Sequence, residues 1–196
     1  SDHAPGIPGT CHSFYFANFE SLPRFLYGVR ILGSSEINIL DDGSLSLEKR
    51  FIDLLDYGIA GIHLNCYQDQ GKKRNTENVI KAMRCEKIKI ISHPDSNKTP
   101  LDYPSLVDAA KDYSVALEVN NSSLENPDSR PGCYDKKLLS LCMKRDANVV
   151  ISSDAHDPYQ VGEFKKAINF LDEIQFDNLL VITSSLAELI PFLCFT

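Results

Sequence analysis

Short apolar runs alternate with amphipathic stretches along most of this chain. Residues 29–33 (VRILG), 58–64 (GIAGIHL), 87–92 (KIKIIS), 115–119 (VALEV), 148–152 (NVVIS) and 179–183 (LLVIT) are rich in β-branched side chains and bounded by polar turns, which predicts strands. Residues 48–57, 76–84, 103–113, 135–144, 160–174 and 185–192 carry apolar positions at helical spacing; Leu106, Ala109 and Ala110, for instance, share one side. Strand and helix in alternation predict a parallel sheet with crossover helices, an α/β fold. Most of the strands are apolar on both faces, as expected where helices cover a parallel sheet. No repeat, low-complexity tract or linker interrupts the pattern. The longest irregular piece after the N-terminal region, residues 121–133, is too short to divide domains, so residues 1–196 read as one domain.

Composition narrows the function. With 43% hydrophobic and 24% charged residues the chain is ordinary globular material. Its 27 acidic against 20 basic residues give a net charge of −7, which repels phosphate backbones and argues against nucleic acid as a partner. No basic, aromatic-interleaved stretch offsets that balance. A small anionic substrate then requires something local, such as a metal ion, to reverse the field. No stretch approaches the ~20 apolar residues of a membrane span, and the first residues lack a signal-peptide pattern. The six cysteines show no C-x-x-C pairing, and several sit in apolar runs as small buried hydrophobes. A cytoplasmic location is the expectation.

The five histidines carry the chemistry. His63 ends one predicted strand and His93 another, where the following Pro94 predicts an extended conformation for His93. Asp154 and His156 follow a third strand two residues apart, so extended backbone would point both to one side. Glu36 follows the predicted strand 29–33, and His3 lies near the N-terminus. In a parallel β/α barrel the C-terminal strand ends converge on the face where active sites lie. Taken singly, each histidine reads most simply as a hydrogen-bonded structural residue, and Glu36 as a surface carboxylate. Jointly, six ligand-type side chains at successive strand ends point to a metal site. Imidazoles and carboxylates without thiolates suit Zn, Mn or Fe. His12, in TCHSF, has no such company and keeps a structural reading.

The segments SDHAPG, GSSEIN with Glu36, AGIH with His63, ISHP with His93, ALEVNNSS and SDAH with Asp154 and His156 together resemble the PHP (polymerase and histidinol phosphatase) family, in its YcdX-like phosphatase branch. The resemblance covers nearly the whole chain in order. It implies a distorted seven-stranded, TIM-like β/α barrel with a site for up to three ions, usually zinc or manganese, that hydrolyses phosphoesters. Carried over by position, Glu36, His63 and His93 would surround one metal, Glu36 would bridge to a second served by Asp154, and His3 and His156 would serve a third. The family opens with an H-x-H strand, and no H-x-H occurs here. Ser1-Asp2-His3 corresponds to the end of the family's second strand, so a first β–α unit of roughly 30 or more residues is expected to be missing.

That absence carries two expectations. An exposed barrel edge would pair with another copy and make a homo-oligomer, and activity of the bare chain would be weak. The reaction expected is hydrolysis of a small phosphate monoester by metal-activated water. Arg130, in the loop after the strand 115–119, is a candidate to hold a phosphate oxygen by its planar fork, or else a solvated loop arginine. Asn120 and Asn121 would orient substrate or cap the turn. Two other classes fit these residues less well: a metal-poor structural module of the same family, and an amidohydrolase-type barrel such as a deaminase. A phosphoesterase acting on nucleic-acid ends is disfavoured by the acidic balance.

Overall fold

A computed structural model describes residues 1–125 and 136–193. Its centre is a six-stranded parallel sheet built from β1 (Asp2–His3), β4 (Ser34–Asn38), β5 (Tyr57–Gly61), β6 (Ile88–Ile91), β7 (Ala116–Asn120) and β8 (Val149–Ser152), in that spatial order. A small antiparallel hairpin, β2 (Phe25–Leu26) and β3 (Val29–Arg30), stands apart. Strand order follows chain order without reversal, the winding of a β/α barrel rather than of a doubly wound sheet. Among the described residues β1 and β8 do not pair, and the sheet is open between them.

The helices fill the intervals as the apolar spacing requires. They are α1 (Lys49–Ile52), α2 (Lys72–Met83), α3 (Tyr103–Asp112), α4 (Asn121–Glu125), α5 (Lys136–Arg145), α6 (Lys165–Glu173) and α7 (Leu186–Leu193). Asp102 caps α3 by accepting the Ser105 N–H, and Pro104 sits in its first turn, where no helical donor is lost. Strand alternation sends Ile37, Ala60, Leu117, Val119 and Val149 into a main core against Val79, Met83, Leu106, Leu139 and Leu171 of the helices. A second cluster of Ile90, Ala116 and Val150 fills the other face, where Leu193 of α7 covers it. Among the described residues no helix is long and apolar enough to cross a membrane.

Several sequence expectations need correction. Residues 29–33 are not a strand of the main sheet. Val29–Arg30 is the second arm of the hairpin, and Val29 is exposed. The central strand is Ser34–Asn38, so Glu36 lies within it rather than beyond its end. Residues 179–183 form two short 3₁₀ turns, Asn178–Leu180 and Ile182–Ser184, tied to the sheet by a single Val149–Val181 bridge. There the Asp177 carboxylate accepts the Leu179 N–H, and the Thr183 hydroxyl accepts the Ile151 N–H that a further strand would have taken. Helical structure at 48–57 stops at Ile52, because Tyr57 already begins β5. Residues 121–125 are helical rather than irregular.

Candidate functional site

Three imidazoles converge on one carboxylate. The inner positions of β4 and β5 run Ser34, Glu36, Asn38 and Tyr57, Ile59, Gly61; His63, two residues past Gly61, keeps the same parity. His63 Nε2 lies 3.1 Å from Glu36 Oε1, His93 Nε2 lies 3.3 Å from that oxygen, and the two nitrogens are 3.2 Å apart. His3 comes from β1, paired directly with Glu36, and its Nδ1 is 3.6 Å from the other oxygen, Oε2. The buried Nδ1 of His3 has no hydrogen-bond partner.

This donor set fits a cation better than it fits itself. Three ligand atoms at edges of 3.1 to 3.3 Å match the edge of roughly 3.3 Å that a tetrahedron with ~2.0 Å metal–ligand bonds requires. Two imidazole nitrogens that share one proton cannot also both donate to Glu36. His3, Glu36 and His63 likewise form a group able to hold an ion. Burial pushes the Glu36 carboxyl up, but the adjacent His63 and His93 imidazoles outweigh it and hold the group well below the usual carboxylate range. Burial also pushes the His3 imidazole below its ordinary value, against the pull of Glu36, and so favours the neutral form that can ligate.

Asp154 and His156 join His3 and Glu36 around a cavity of about 640 Å³ on the same side of the sheet. Their approach differs from expectation. Asp154 has φ +48°, so the backbone turns, and His156 is exposed with its Nδ1 at 2.8 Å from the Asp154 carbonyl oxygen. His93 also departs, with φ +33° in spite of Pro94. The reason is visible: its N–H donates to Glu118 Oε2 at 2.8 Å while its ring turns onto Glu36 and His63.

Asn120 is buried and engaged inward, its amide donating to Glu118 and Asp154 and its oxygen accepting the Ser123 N–H. Asn121 caps α6 by accepting the Lys166 and Ala167 N–H groups. Arg130 lies outside the described residues. His12 has the structural role expected of it, accepting the Phe14 N–H at the start of a 3₁₀ turn.

The relatives fall in one group. A probable phosphatase of Clostridium acetobutylicum is 33% identical over 98% of this chain and 80% of its own length. One of Citrobacter koseri is 36% identical over 98% and 79%, and the probable phosphatase YcdX of Escherichia coli O81 is 34% identical over 98% and 79%. The chain belongs to this YcdX-containing family of probable phosphatases. No family model matches it.

One residue of this cluster escaped the sequence reading. Glu118 stands among Ala116, Leu117 and Val119 and reads as part of an apolar strand. Its signal was parity, since it shares the inner face of β7 with Asn120. Burial pushes its carboxyl up, with Glu36 adding to the rise, while His93 and the Ser152 hydroxyl oppose it.

Proposed function

We propose that this chain is a metal-dependent phosphoesterase of the PHP type, hydrolysing small phosphate monoesters in a single domain. The observation that carries the reading is the triangle of His63 Nε2, His93 Nε2 and Glu36 Oε1, formed by β4 and the residues just past β5 and β6, beside the strand ends where β/α barrels keep their active sites. Relatives named probable phosphatases support the reaction class. His63, His93 and Glu36 would hold one ion. Glu36 would turn its second oxygen toward His3, and Asp154 and His156 would serve the open side of the cavity. Zinc or manganese suits these donors. Such ions supply neutralisation of the phosphoryl oxygens and a lowered pKa for water.

The chain's own part is positional. Glu36 keeps its charge, and His3 stays neutral and able to donate its lone pair. Arg130 is a candidate to grip a phosphate oxygen, and Asn120 to orient substrate through Asp154, to which it donates. The test is p-nitrophenyl phosphate turnover by the purified chain against added zinc or manganese, alongside zinc titration of wild type, His63→Ala and His93→Ala. We expect stoichiometric zinc uptake that either substitution weakens at least tenfold, and metal-stimulated turnover that is slow. Unchanged affinity in both variants, or no uptake by wild type, overturns the reading.

A further inference from the structure

Among the described residues, six that are not glycine have positive φ. Tyr27 sits in the tight turn of the hairpin, and Ser114, Asp146 and Gln175 follow the ends of α3, α5 and α6, where left-handed backbone is ordinary. His93 and Asp154 have no such excuse. Each follows a strand, and His93 also precedes proline. Conformations of this kind are strained and persist where surrounding contacts dictate them.

Two linked side chains on β7 contact them, one each. Glu118 accepts the His93 N–H at 2.8 Å through Oε2 and the Ser152 hydroxyl at 2.6 Å through Oε1. Asn120 donates to Glu118 at 3.3 Å and to Asp154 Oδ2 at 3.1 Å. Three donors therefore fix one carboxylate, and that carboxylate ties the ends of β6, β7 and β8 together. We propose that Glu118 is a positioning residue, which holds His93 in its left-handed conformation and, through Asn120, sets Asp154, so that both face the candidate metal site. Glu118 touches neither Glu36 nor the ion itself in this account. It acts through the backbone of one ligand and the side chain next to another, as outer partners of metal ligands do. The inference rests on the metal-site reading above.

Two conservative variants separate reach from charge. Glu118→Gln keeps the length and an acceptor oxygen for the His93 N–H, and its amide can donate to Ser152. Glu118→Asp keeps the charge but falls short by about 1.5 Å, one carbon–carbon bond. Zinc affinity is measured by titration, and the coordination is read from the visible absorption of the cobalt(II)-loaded chain. Melting without metal checks that each variant folds. We expect Gln to bind zinc within a few-fold of wild type with an unaltered cobalt spectrum, and Asp to bind about 10–100-fold more weakly with an altered spectrum. If Asp equals or exceeds Gln, Glu118 acts by charge and the proposal falls. It falls equally if both match wild type. If wild type takes up neither metal, the metal-site reading fails first and takes this inference with it.

Discussion

Gly61 is the last residue of β5, where β5 and β6 bring His63 and His93 together. A Cβ built there would collide with the Ser92 hydroxyl and stand 3.3 Å from His93 Cε1 and 3.4 Å from His63 Cε1. Ser92 is buried, so its hydroxyl cannot swing into solvent. Gly61→Ala must therefore displace either Ser92 or the strand end that carries His93. Overpacking of this kind costs about 1–3 kcal/mol. In a chain of this size that is a melting-point loss of roughly 2–12 °C. Because both rings lie at contact distance, zinc affinity should fall as well. Removing the obstructing hydroxyl should restore much of both, so the double substitution Gly61→Ala/Ser92→Ala should be more stable than Gly61→Ala alone, with a coupling near 1 kcal/mol or more. Thermal melting and zinc titration of the four proteins in the cycle measure this. If Gly61→Ala melts and binds like wild type, or if Ser92→Ala gives no rescue, the close approach at the β5–β6 strand ends is not what places the two imidazoles.

Two shorter predictions accompany it. The Tyr15 hydroxyl donates to Asp2 at 2.7 Å, which, with burial, pushes the phenol up to about 12. A raised value favours the protonated form, so this contribution to stability is present below the ordinary value near 10 and is lost as pH rises through about 12. Phenolate absorbance should show a late-titrating component absent from Tyr15→Phe and shifted down in Asp2→Asn; an unchanged titration in both refutes it. His12→Ala should cost about 0.5–2 kcal/mol by losing the bond to the Phe14 N–H while leaving zinc affinity intact. A loss matching that of His63→Ala would place His12 in the site after all.

The alternation of strand and helix was legible because the helix-covered face of each strand is apolar, and apolar periodicity is what a sequence displays. The failures lie where the site imposes its own residues. β4 begins Ser34-Ser35 and carries Glu36 and Asn38 on its inner face, so it looks less like a strand than the exposed hairpin arm just before it. His93 was legible as a strand-end histidine, but its conformation was not. The local preference set by Pro94 is overridden by a bond to Glu118, 25 residues away. Residues 179–183 have the composition of a strand, but side-chain acceptors from Asp177 and Thr183 satisfy the backbone differently. The placement of His63, His93 and Asp154 just past neighbouring strands was readable, whereas the position of Glu36 inside β4 and the distances within the group belong to the sheet register.

That register has a consequence for errors. Ile37, Leu117 and Val149 point to the helices by the same alternation that points Glu36, Glu118 and Val150 inward, and the strands are locked in pairs such as Glu36 with Ile59 and Glu118 with Val150. A slip of one residue in β4 or β7 would drive a carboxylate into oil and turn a core side chain toward the cavity. A misaligned copy of this protein is thus penalised by its core before its chemistry is ever tried. Selection for a stable fold acts here as a proofreader of the site, and a deletion or insertion inside β4 or β7 should abolish folding outright rather than leave a stable but inactive chain.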